Sequence, residues 1–94
     1  MPDPIEKIVL DVIAEINEEL QVDTLNHPDG DTKLFEALDS MAVLDFILGV
    51  EESLHREYGR YIQIANEKSM NPESTPFKTV ESAVAFIWER VSDG

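Results

Sequence analysis

The stretch Asp39-Ser40-Met41-Ala42-Val43-Leu44-Asp45-Phe46-Ile47-Leu48-Gly49-Val50-Glu51-Glu52-Ser53-Leu54 decides the fold. Val43, Phe46, Ile47, Val50 and Leu54 recur at three- and four-residue spacing, the period of one buried helix face. The pattern predicts a helix over about 40–56, opened by Asp39-Ser40 and closed by Gly59 just past its end. This helix has a second apolar side. Met41, Leu44 and Leu48 lie away from the core arc, with Asp45, Glu51 and Glu52 interleaved among them. An apolar seam edged with carboxylates reads as a docking face with a hydrophobic centre and a charged rim.

Upstream, Ile5, Ile8, Val9, Val12, Ile13, Ile16 and Leu20 make one apolar stripe and predict a helix over 4–20. Asp3 is its expected N-cap, Pro4 suits the first helical position, and Glu6 completes a capping-box pattern. Residues 21–31 read as a loop centred on His27-Pro28-Asp29-Gly30-Asp31. Thr32 is expected to cap one short turn through Lys33-Leu34-Phe35-Glu36. Downstream, Tyr61, Ile62, Ile64 and Ala65 are read as a short third helix, followed by a polar stretch over 66–76. The last helix is expected over 80–91, capped by Thr79, with Val80, Ala83, Val84, Phe86, Ile87 and Val91 on its buried side. No strand-period run competes, so the class is all-α: a small bundle of three long helices and a short one.

Ninety-four residues make a single domain. Seven basic residues against twenty acidic ones give a formal charge of -13. That balance excludes a nucleic-acid role and docking on an anionic membrane, because both need clustered Lys and Arg. The natural complement is a basic protein partner. With no cysteine, disulfide and thiolate metal chemistry are excluded. No signal-peptide pattern and no membrane-length apolar run is visible, so the expected location is the cytoplasm.

Ser40 stands at the first turn of its helix, where a hydroxyl is held out of the core and within reach of a modifying enzyme. A phosphodiester formed there sits near a helix N-terminus, which favours negative charge. Asp-Ser before an apolar run is also how ordinary helices begin. Ser40 as a hydrolase nucleophile is the poorer reading. His27 lies in the loop, and His55 lies about four turns along the same helix, so neither is placed as its base. Asp29-Gly30-Asp31 with Glu36 invites comparison with a calcium loop. Setting Gly30 and Glu36 at their required places puts Leu25 and His27 where oxygen ligands belong, and the comparison fails. Tyr58, Tyr61, Phe77, Phe86 and Trp88 are read as core aromatics rather than a cofactor box.

Leu34-Phe35-Glu36-Ala37-Leu38-Asp39-Ser40-Met41 resembles the attachment motif of acyl carrier proteins, usually Gly-x-Asp-Ser-Leu, placed after a long loop and opening the second helix. Asp39 and Ser40 match, Met41 replaces Leu, and Ala37 stands where the family usually has Gly. Thr79-Val80-Glu81-Ser82-Ala83-Val84-Ala85-Phe86-Ile87 is similar to the family's last helix, so the resemblance covers roughly 4–58 and 79–91. It implies an acyl-carrier four-helix bundle over 1–94, with a longer-than-usual segment at about 59–78. It further implies a non-catalytic, monomeric carrier. Coenzyme A would donate 4'-phosphopantetheine to Ser40, with Asp39 recognised by the phosphopantetheinyl transferase. Met41, Leu44, Asp45, Leu48, Glu51 and Glu52 would then bind basic-surfaced acyl-transfer or synthase enzymes of fatty-acid, lipid or polyketide-type biosynthesis. Two alternatives stay open: an unmodified acidic interaction module, and an aminoacyl or peptidyl carrier.

Overall fold

A computed structural model describes residues 3–65, 71 and 73–93, with only the backbone described at Asp93. Among the described residues four helices follow in order, α1 Pro4–Leu20, α2 Leu34–Ala37, α3 Ser40–Tyr58 and α4 Val80–Asp93, with a 3₁₀ turn at Asp23–Leu25. The three long helices stand where their apolar stripes predict them, α3 and α4 each running two residues further. The short helix is α2. None of the described helices is long and apolar enough to cross a membrane.

Local chemistry sets the helix ends. The Asp3 carboxylate accepts the Ile5 and Glu6 amides at 2.8 and 3.3 Å, satisfying donors that have no carbonyl one turn back. α1 ends on Gln21 in the left-handed region (φ 54°), and α3 ends on Gly59 (φ 69°), where the missing Cβ removes the strain. Thr79 Oγ1 accepts the Ser82 amide at 3.1 Å and caps α4. The loop after α1 is stitched to the same end of α4. Leu34 N donates to Lys78 O at 2.9 Å, Val80 N to Thr32 O at 3.0 Å, and Glu81 N to Gly30 O at 2.9 Å.

α1 packs on both α3 and α4. It runs antiparallel to α3. Its C-terminal Ile16 and Leu20 share a groove with Met41 and Ala42, and its N-terminal Pro4 and Lys7 share another with Arg56 and Glu57. The Trp88 indole N–H donates to Asp3 at 2.9 Å, so the C-terminal half of α4 lies beside the start of α1. Ile5, Val9, Val12 and Ile13 of α1, Phe46, Ile47, Val50 and Leu54 of α3, and Val80, Ala83 and Ile87 of α4 are buried together. Each of the larger side chains among them contributes about 1.5–3 kcal/mol on leaving water. Phe77 bridges the long helices, meeting Phe46 and Phe86 edge-on at 5.7 and 5.8 Å between ring centres.

Three expectations about the fold are corrected by the structure. Residues 61–65 form no helix. Ile62 and Ile64 are buried while Tyr61 and Gln63 are exposed, the alternation of an extended chain. Part of the polar stretch over 66–76 lies outside the described residues. Thr32 does not cap α2; its hydroxyl accepts the Asp29 amide at 2.8 Å and closes the preceding turn. Of the aromatics read as core, Phe77 is buried, Tyr58 and Phe86 are half-buried, and Tyr61 and Trp88 are exposed.

Candidate functional site

Ser40 is the first residue of α3 and is exposed. Asp39 precedes it in extended conformation, and its Oδ1 accepts the Ala42 amide at 2.8 Å. The cap holds the first turn of α3 so that the Ser40 hydroxyl faces water. The unpaired amides at this helix end give the position a partial positive charge that suits an attached phosphate. Asp39 is therefore a structural cap whatever else it does. Its removal would cost about 0.5–2 kcal/mol of stability before any effect on recognition.

Three large apolar side chains continue from Ser40 along one side of α3. Met41 is 72% exposed, Leu44 47% and Leu48 61%. No core position explains them, since Val43, Phe46, Ile47 and Val50 fill the inward arc. Asp45 and Glu52 stand exposed beside them. On the α1 side of Met41 lies an open groove of about 330 Å³, floored by Ile16, Leu20 and Ala42 and edged by Glu15, Glu19, Asp39 and Asp45. The acids of α1 are thus part of the same surface, which a reading of α3 alone does not include.

The ion pairs among the described residues, Lys7–Asp11 at 2.9 Å and Lys33–Glu36 at 3.9 Å, involve none of these acids. Uncompensated carboxylates around exposed apolar side chains suit a cationic surface with an apolar centre.

Glu51 does not belong to this face. It is 6% exposed, and its Oε2 accepts the Ile64 amide at 2.9 Å and the Ala65 amide at 3.4 Å. The helical period already pointed inward. Glu51 lies four residues after Ile47 and three before Leu54, both buried. The partner-binding role expected for Glu51 is withdrawn. A carboxylate engaged by two backbone amides inside the fold meets no partner side chain.

Sequence reasoning also missed the buried Asn17. Its Oδ1 accepts the Val22 amide at 2.7 Å, and its Nδ2 donates to Asn26 at 2.8 Å, fixing the start of the loop that leads to the site. The signal was again a polar residue on an apolar stripe, between Ile13 and Leu20.

His27 and His55 are both exposed. His55 packs edge-on against Tyr61 with ring centres 6.4 Å apart. It lies fifteen residues along α3 from Ser40, about 22 Å at 1.5 Å per residue. Among the described residues, no cluster of His, Asp or Glu is arranged to hold a metal ion. Asp29 spends its carboxylate on a local turn, accepting the Asp31 amide at 2.9 Å. No protein-family model, curated protein or solved structure matches this chain.

Proposed function

We propose that this chain is an acyl carrier protein whose attachment residue is Ser40. The observation that carries the reading is the exposed serine at the capped start of α3, continuous with Met41, Leu44 and Leu48 and bordered by Asp45 and Glu52. The residues fit a phosphopantetheine arm. The hydroxyl is accessible, and the helix end beneath it favours the phosphodiester. Attachment forms one bond from Ser40 Oγ to the phosphorus of coenzyme A that bears the pantetheine arm, releasing adenosine 3',5'-bisphosphate. The serine proton passes to a base on the transferase. When bound, the arm supplies a terminal thiol that carries an acyl group as a thioester. The chain's own work is to hold Ser40 outward and present a docking surface beside it, raising the local concentration of cargo at each partner. Fatty-acid, lipid or polyketide-type enzymes with basic surfaces are the proposed partners.

A second reading is supported by the Asp39 cap. The hydrogen bond to Ala42 accounts for Asp-Ser without any modification, and the exposed acidic-apolar face would serve an unmodified interaction module equally well. An aminoacyl or peptidyl carrier shares the attachment chemistry and differs in cargo.

Incubation with coenzyme A and a broad-specificity phosphopantetheinyl transferase, read by intact mass, separates these readings. The carrier gains one phosphopantetheine, and Ser40→Ala gains none. A wild-type chain that stays unlabelled, or a labelled Ser40→Ala chain, overturns the proposal.

A further inference from the structure

Two grooves lie along the contact of α1 with α3, and Glu15 borders both. The groove at the far end from Ser40 has Lys7 and Arg56 in its walls, which offset Asp11, Glu15 and Glu57. The groove beside Met41 has no cation in its walls. Its floor is Ile16, Leu20 and Ala42, and its carboxylates are Glu15, Glu19, Asp39 and Asp45. Asp39 is engaged by the Ala42 amide. Glu15, Glu19 and Asp45 are exposed and belong to none of the ion pairs among the described residues. Glu15 and Glu19 stand four residues apart on α1, so both edge the same strip of apolar surface that Ile16 and Leu20 provide.

We propose that the groove between α1 and α3 beside Met41 is a docking site for a basic peptide segment. One apolar side chain of that segment sits on Ile16 and Leu20, and Glu15 and Glu19 hold cations next to it. On the carrier reading the segment belongs to the phosphopantetheinyl transferase; the groove itself does not depend on that reading. Shape argues against a small molecule. At about 330 Å³ the groove is at the low end of the ~300–1,000 Å³ typical of ligand sites, and it is open to water, so it cannot enclose most of a free ligand. It suits a side chain presented by a second surface that covers the rest. Charge selects which surface. Covering the groove strips water from carboxylates that have no cation of their own, which is unfavourable unless the cover supplies one. Lysine and arginine do so while laying their methylenes on the apolar floor. Because Glu15 and Glu19 belong to α1 and Asp45 to α3, a partner that contacts all of them straddles two helices and reads their pairing. The Leu44 and Leu48 side of α3 makes no such demand.

NMR titration of the apo chain with a capped lysine-rich peptide bearing one central leucine tests the groove. The methyl signals of Ile16 and Leu20 should shift, and should shift several-fold less with the same peptide carrying alanine at its centre. Glu15→Gln combined with Glu19→Gln keeps side-chain size and removes both charges, and should weaken the leucine peptide by about two- to tenfold. Glu18→Gln combined with Glu89→Gln removes the same charge from exposed positions outside the groove, and should weaken it several-fold less. Equal shifts with the leucine and alanine peptides, or equal weakening by the two double variants, overturns the groove.

The assignment to the transferase is tested by initial rates of labelling from coenzyme A. If the enzyme docks through the groove, the Glu15→Gln, Glu19→Gln chain should show a several-fold higher KM with kcat unchanged, and the difference should fade at high salt. An unchanged KM overturns the assignment to the transferase. A wild-type chain that is never labelled overturns the carrier reading, and the groove is then judged by the peptide titrations alone.

Discussion

A Cβ built on Gly49 lies 2.9 Å from Cγ1 of Val12, closer than two carbons can stand. The two residues mark where α1 and α3 approach each other at mid-length. Val12 is β-branched, so its χ1 has little freedom to turn the methyl aside. Gly49→Ala should therefore destabilise the fold by about 1–3 kcal/mol through overpacking, less roughly 1 kcal/mol returned by the helix propensity of Ala. Urea denaturation measures the net loss. Adding Val12→Ala should relieve the contact, so that the double variant is more stable than the two single losses predict by addition. Strict additivity would show that the two side chains do not press on each other.

Asp3 joins the two ends of the chain. Its carboxylate lies below the ordinary carboxylate range, chiefly because the Trp88 indole N–H donates to it. The Glu6 and Ile5 amides act in the same direction, and partial burial opposes them. A carboxyl group held lower in the folded state than in the unfolded chain binds fewer protons there, so it contributes stability above the unfolded value of 3.8. That contribution is lost as pH falls through the folded value. Trp88→Phe should lower the melting temperature at pH 7, and the difference from wild type should shrink as the solution is taken below about pH 4. Because Asp3 is close to solvent, the effect should be small and weaken with salt. A gap that widens on acidification would contradict the assignment.

Neighbouring acids of α3 should respond to charge reversal in opposite ways. Asp45→Lys and Glu52→Lys change exposed positions, so helicity should be retained while modification by a basic transferase slows. Each exposed pair contributes about 0.2–1 kcal/mol, so the slowing should be a few-fold and should fade at high salt. Glu51→Lys places a cation against two backbone donors inside the fold, and should unfold or strongly destabilise the chain instead. Circular dichroism alongside labelling rates distinguishes the two. Equal behaviour of Glu51→Lys and Glu52→Lys would refute the inward placement of Glu51.

Salt should stabilise the whole domain at neutral pH. Twenty acidic residues face seven basic ones, and the exposed ion pairs offset little of the repulsion. Raising sodium chloride from low to moderate concentration at pH 7 should raise the melting temperature as the Debye length shortens. With the Glu51 carboxylate turned inward onto the Ile64 and Ala65 amides, magnesium at matched ionic strength should add no further gain at α3. A melting temperature that falls with sodium chloride would mean that attractive pairs outweigh the repulsion.

The sequence by itself determined α1, α3 and α4, because their evidence is local. Side chains three and four residues apart share a face, and Asp3, Asp39 and Thr79 satisfy amides two or three residues away. The exposure of Ser40, Met41, Leu44 and Leu48 follows from the same projection once Val43, Phe46, Ile47 and Val50 are assigned to the core. Only tertiary structure decided how residues 61–65 lie. Ile62, Ile64 and Ala65 are apolar enough for a short helix turn, but the acceptor for the Ile64 and Ala65 amides is a carboxylate thirteen and fourteen residues earlier. The same holds for the acids of α1 that border the groove beside Met41 and for the bond between Asp3 and Trp88, 85 residues apart. Such pairings depend on where two helices cross, which is set by the packing of the whole core and not by the spacing within either helix.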